Sequence, residues 1–142
     1  MRSISLAISG MALAGVVLAA CSTAPPVPTR TAKGEQEFQR LLAGKIAQTP
    51  ISCLPSYNAN DMIVIDENTI AFRTGGGSRV YVAHTNGCTN LRPGSPYALL
   101  TRQFGGSGLC HGDIAQVIDP LNRMTVGSCV FGDFTPYVRP GA

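Results

Sequence analysis

Five cysteines are the residues of this sequence whose positions most constrain their chemistry. Thiols in proteins form disulfides, bind metals, act as nucleophiles or carry lipid. Cys21 stands alone near the N-terminus, and the other four are spread through the chain as Cys53, Cys88, Cys110 and Cys129. Because pairing leaves one of five cysteines over, the first question is which of them is the odd one.

Cys21 ends a stretch with the features of an export signal. Arg2 precedes an apolar run over residues 4–18, and the small residues Ala19 and Ala20 stand directly before the cysteine. This stretch resembles the lipobox of bacterial lipoproteins, which implies cleavage after residue 20 and lipid on Cys21. An ordinary cleaved signal peptide is the alternative. Ser22 replaces the Asp that retains such lipoproteins in the inner membrane, so the resemblance implies the periplasmic face of the outer membrane.

Length and composition divide the chain further. We expect a lipoprotein signal peptide over 1–20, the lipidated cysteine with a proline-rich tether over 21–31, and one disulfide-stapled β domain over 32–138. Charged residues make up only 13% of the chain and the net charge is +3, without any basic run. Nucleic-acid binding is therefore not expected. The expected partners are the membrane, through Cys21, and an envelope protein or polymer.

The remaining four cysteines are an even set in an oxidising compartment, which favours two disulfides. No two of them form a C-x-x-C pair, so a zinc site is disfavoured. Four cysteines allow three pairings. A plain up-and-down meander brings Cys53 to the same end of the sheet as Cys88, and Cys110 to the same end as Cys129. We therefore predict disulfides Cys53–Cys88 and Cys110–Cys129.

Other side chains give weak catalytic signals. His111 and Asp113 lie in the sequence LCHGD, where alternate residues of an extended chain share one side. The favoured interpretation is a turn in which Asp113 accepts backbone hydrogen bonds, with His111 and Asp113 kept as the residues to suspect if the protein is a hydrolase. Ser107 lacks the glycine spacing of a nucleophile elbow. No catalytic residue, metal ligand set or cofactor is assigned.

One helix and a series of short strands must position these residues. Thr31 is suited to cap a helix whose apolar stripe includes Phe38, Leu41 and Leu42 and which Pro50 would end. This one-sided helix must lie on the sheet, or plug one end of it. After Pro50 the period changes to two, with strands predicted over 51–57, 62–65, 69–74, 79–84, 97–104, 113–118 and 124–130. The sequence predicts a mainly β fold, a small antiparallel barrel or strongly curled sheet of about seven short strands with one N-terminal helix.

The ordered set of four cysteines, with Leu109-Cys110 followed by Gly112-Asp113, resembles a family of small proteobacterial envelope lipoproteins known as a domain of unknown function. The resemblance covers about residues 42–138. It implies a fold and no activity.

These observations favour a membrane-anchored binding or structural module of the cell envelope. One alternative is an inhibitor of a lytic enzyme such as lysozyme, presenting the turn over 75–78 or the loop over 89–96; another is an envelope hydrolase. The candidate binding surface consists of Arg79, Tyr81, Arg92 and Arg102, where a concave and partly charged pocket would indicate ligand binding.

Overall fold

The computed structural model describes residues 30–55, 61–102 and 108–141. The predicted signal peptide, Cys21, Ser107 and most of the predicted tether lie outside the described residues. The described elements, in chain order, are α1 (Ala32–Leu42), β1 (Ile46–Ala47), β2 (Met62–Asp66), β3 (Thr69–Thr74), β4 (Arg79–Thr85), β5 (Ala98–Thr101), β6 (Ile114–Ile118) and β7 (Thr125–Val138).

The strands form one antiparallel sheet, ordered β2-β3-β4-β7-β6-β5, with β1 paired to the end of β7. The seven strands curl into a half-barrel, which confirms the predicted fold class. The long strand β7 holds the two halves together. Its first half pairs with β6 and its second half with β4. The glycine turn over 75–77 joins β3 to β4, as predicted.

A β-bulge bends β7 at Gly132. Ala83 pairs with Phe134 and Thr85 with Phe131, so three residues of β7 span the interval of two on β4. A Cβ atom at Gly132 would stand 2.9 Å from the His84 carbonyl oxygen, which explains the glycine. The predicted strand over 124–130 is therefore too short. Beyond the bulge β7 continues to Val138, and Pro136 lies within it.

The two faces of the sheet carry two apolar clusters. The cluster inside the curl is drawn from most strands and from the loops between them, with Phe72, Phe131 and Phe134 at its centre. The second lies on the opposite face, where Leu41 of α1 packs against Ile65 and its neighbours on β2, β3 and β4. The helix therefore lies on the outer face of the sheet and does not plug its end.

The start of α1 is attached firmly to the sheet. Thr31 caps the helix, as predicted, by accepting a hydrogen bond from the Gly34 amide at 3.0 Å. Arg30 donates through Nε to Asp66 Oδ2 at 2.7 Å, and its guanidinium lies 4.2 Å from the centre of the Phe38 ring. At the other end, α1 stops at Leu42 rather than near Pro50, because Gly44 turns the chain at φ 69°.

The four domain cysteines form two disulfides, but the predicted pairing is wrong. The bonds are Cys53–Cys110 and Cys88–Cys129, so the two covalent loops interleave along the chain. Cys53–Cys110 is reinforced by backbone hydrogen bonds from Leu54 to Leu109 and from His111 to Ser52. Of the predicted strand over 51–57, residues 56 and 57 lie outside the described residues, and the described part forms only isolated bridges at Ile51 and Cys53.

The pairing differs because the sheet is not a plain meander. The neighbour of β4 is β7, not the next strand along the chain. Cys88 follows the end of β4 and Cys129 precedes the residue of β7 that pairs with that end, so the two meet. The segment before β2 runs along the other edge of β7, through the Ile51 bridge, to the point where β6 begins. That course brings Cys53 to Cys110.

Candidate functional site

A groove of about 600 Å³ lies between α1 and the loop over 91–97, and we call it the α1 groove. Its floor is apolar and its helix wall is polar. The strand at its base, β2, is an edge strand in the described part of the chain. The residues that define it most clearly are Lys33, Glu37 and Arg40 on the helix, Ile63 on β2, and Arg92 and Tyr97 on the loop.

Glu67, in the turn between β2 and β3, positions the loop wall of the α1 groove. Its Oε1 accepts hydrogen bonds from the Asn90 amide at 3.2 Å and from Arg92 Nε at 3.0 Å. Its backbone oxygen accepts from the Cys88 amide. The Asn90 side chain also donates to the Val126 carbonyl oxygen at 2.9 Å. With the Cys88–Cys129 disulfide, these bonds tie the start of the loop to the β2–β3 turn and to β7.

The rim of the α1 groove is cationic. Three basic side chains line it, Lys33, Arg40 and Arg92; the Glu37 carboxylate pairs with Arg40 and the Glu67 carboxylate with Arg92, which leaves an excess of one positive charge. The hydrogen bond from Arg40 holds the pKa of the Glu37 carboxyl below its ordinary value, so Glu37 stays ionised. Arg40 and Arg92 already form ion pairs, whereas Lys33 has no ion pair among the described residues. The groove therefore suits an extended ligand with apolar groups and negative charge.

A second cavity, of about 390 Å³, opens at the end of the half-barrel near the β3–β4 turn. We call it the mouth cavity. Arg79 and Tyr81 both line it, and Arg79 Nη1 lies 3.4 Å from the Tyr81 hydroxyl oxygen. The structure thus places a concave and partly charged pocket at two of the predicted binding residues.

The four residues of the predicted binding surface do not form one surface. Arg79 and Tyr81 share the mouth cavity, whereas Arg92 belongs to the α1 groove. Arg79 begins β4 and Arg92 follows its far end, so the two arginines lie toward opposite ends of that strand. Arg102 is exposed just after β5 and lines neither cavity. The turn over 75–78 and the loop over 89–96 are separated by β4 in the same way.

The structure does not bring His111 and Asp113 together as a pair. The Asp113 carboxylate accepts the Cys110 amide at 2.7 Å, which is the turn arrangement favoured from the sequence. His111 Nδ1 lies 2.9 Å from Asp133 Oδ1, and both of these side chains are exposed. The described residues contain no cluster of three or more His, Cys, Asp or Glu side chains suited to a metal ion.

Sequence reasoning did not identify the α1 groove. Lys33, Glu37 and Arg40 follow each other at spacings of four and three, so they share a helix face. That spacing is the signal that would have found the helix wall. The rest of the groove, at β2 and Tyr97, lies where the curled sheet leaves a strand edge open. The plain meander assumed from the sequence does not predict which strand edges are open.

Comparison of the chain with protein-family models, with curated proteins and with solved structures found no match. The only α-helix among the described residues, α1, has 11 residues, and no helix in this part of the chain is long and apolar enough to cross a bilayer.

Proposed function

We propose that this protein is an outer-membrane lipoprotein, anchored through Cys21, whose domain binds a protein or polymer of the envelope at the α1 groove. The observation that carries the proposal is the groove itself, with its apolar floor, cationic rim and disulfide-tied loop wall. A groove with an edge strand at its base suits an extended segment of a larger ligand. The proposed ligand is an extended, negatively charged segment.

The cysteine count supports the anchor. The two disulfides use Cys53, Cys88, Cys110 and Cys129, which leaves Cys21 as the one cysteine of the five outside them. Disulfides persist outside the reducing cytoplasm, in the compartment to which a lipobox would direct the chain.

The position of the groove relative to the tether supports a role near the membrane. Arg30, at the end of the predicted tether, is ion-paired to the sheet through Asp66. Lys33 lies in the first turn of α1 and already lines the groove. The ligand site would therefore lie beside the point where the domain joins its anchor.

Lipidation is tested by labelling cells with radioactive palmitate and comparing the wild-type chain with Cys21→Ser. We expect label and detergent-phase partitioning for the wild type only. A wild-type protein that carries no lipid and partitions with water would contradict the anchor.

The groove is tested with a photo-crosslinking amino acid placed at Ser95, on the loop wall, or at Leu121, which is exposed and lies outside the groove. We expect a discrete crosslinked product in cells from position 95 and none from position 121. The product should be lost in Lys33→Glu and kept in Arg123→Glu. Arg123 is exposed and lies outside the groove, and both substitutions make the same reversal of charge. Equal products from both positions would refute binding at the groove.

A further inference from the structure

The inner face of the half-barrel changes from apolar to polar at its mouth. Phe72 and Tyr81 form one register pair, and Phe72 belongs to the buried aromatic cluster. One row outward, the register pairs are Thr74 with Arg79 and Arg79 with Val138. Alternation along a strand puts Arg79 on the same face as Tyr81, so an arginine stands where the interior meets solvent.

The charge of Arg79, unlike that of three other arginines, has no ion-pair partner among the described residues. Arg30, Arg40 and Arg92 each form an ion pair, and Arg79 forms none with any carboxylate of the described residues. The residues lining the mouth cavity include no Asp or Glu. The positive charge of Arg79 is therefore not neutralised at close range by the described part of the protein.

Tyr81 adds a positioned hydrogen-bond donor. Its side chain is largely buried, at 5% exposure for the residue, and its hydroxyl oxygen accepts from Arg79 Nη1. An oxygen that accepts in this way still has its own hydrogen to donate. Thr74 adds a hydroxyl, while the Ser78 hydroxyl is already used to donate to the Gly75 carbonyl oxygen at 3.0 Å.

We propose that the mouth cavity binds a compact oxyanion, a carboxylate or a phosphate, on a small ligand whose body contacts Pro55 and Val138. The guanidinium fork of Arg79 matches the geometry of both oxyanions, and the Tyr81 hydroxyl supplies a second donor. The volume of about 390 Å³ lies within the range of small-molecule sites. This site is separate from the α1 groove and does not depend on it.

The test is a titration of the full chain in detergent, at constant ionic strength in chloride, with sodium phosphate and separately with sodium acetate. Backbone amide NMR signals of residues 74–81 report binding. We expect saturable shifts with at least one anion, and the anion that binds more tightly identifies the oxyanion class. Absence of saturable shifts with both anions would overturn the proposal.

Matched variants locate the site. Arg79→Gln should weaken binding by about tenfold or more, since hydrogen bonds to charged groups are the stronger class, and Tyr81→Phe by about threefold. Arg102→Gln removes the same charge from an exposed position outside the cavity and should change the affinity by less than about twofold. Equal weakening by Arg79→Gln and Arg102→Gln would overturn the proposal, because it would mean unspecific attraction.

Arg79→Lys guards against a folding defect. It keeps the charge and loses the fork, so it should bind with an affinity between those of the wild type and Arg79→Gln. Thermal melting of each variant is recorded alongside. Wild-type affinity in a folded Arg79→Gln would refute the site directly.

Discussion

The two disulfides differ in burial, and this difference predicts which of them matters more for stability. Cys88 is fully buried and Cys129 is 3% exposed, both within the central apolar cluster. Cys53 is exposed and Cys110 half-buried. We expect replacement of Cys88 and Cys129 together by alanine to destabilise the domain more than replacement of Cys53 and Cys110.

Chain entropy alone predicts the opposite order. The bonds span 57 residues for Cys53–Cys110 and 41 for Cys88–Cys129, and loops of this size each stabilise by about 4 kcal/mol. The longer loop is favoured by only about 0.3 kcal/mol in the same account. Removing two buried sulfur atoms leaves a cavity that costs about 1–2 kcal/mol more. The burial effect is the larger, so it decides the order.

The measurement is urea unfolding of the chain carrying Cys21→Ser, with each double alanine variant beside it. A larger loss of unfolding free energy for the pair Cys53/Cys110 would refute the reasoning from burial. Mild reduction followed by thiol labelling and mass mapping gives an independent check. Cys53 and Cys110 should be labelled first, and non-reduced peptides should link Cys53 to Cys110. Equal labelling of all four would contradict the burial difference.

Two further sets of variants test smaller features. Gly34→Ala should destabilise the domain, because the added Cβ would collide with the Ile65 carbonyl oxygen. Alanine would otherwise stabilise a solvent-exposed helix by about 1 kcal/mol relative to glycine. A melting temperature at or above that of the wild type would contradict this. Asp113→Ala should lower the unfolding free energy by about 1–2 kcal/mol, since it leaves the Cys110 amide without its acceptor. His111→Ala should change the unfolding free energy by less than about 0.5 kcal/mol, because the His111 side chain is exposed. Urea unfolding distinguishes the two, and equal losses would mean that the turn does not depend on Asp113.

Local patterns predicted most of the strands, because alternation and turn residues are local properties. The strand over 69–74 has the predicted bounds, and those of β2 and β4 differ by a residue at one end. The apolar stripe of α1 likewise placed Leu41 against the sheet. The prediction failed at β7, where Gly132 and Pro136 are residues that usually end a strand. Here Gly132 serves a bulge against His84, and neighbouring strands hold the chain extended beyond it.

Strand order is the property that local patterns did not contain, and both the disulfides and the candidate sites depend on it. A meander would place β5 beside β4, and the observed order places β7 there. Pairing of β1 with β7 leaves β2 as an edge strand of the described sheet, at the base of the α1 groove, and pairing of β4 with β7 brings Cys88 to Cys129. It also sets Val138, at the end of β7, against Arg79 at the mouth. The long range of these contacts explains why residue spacing identified Arg79 and Tyr81 as a pair but did not join them to the rest of their cavity. It follows that a change which disrupts the pairing of β4 with β7 should affect both cavities, whereas a change confined to α1 should affect only the groove.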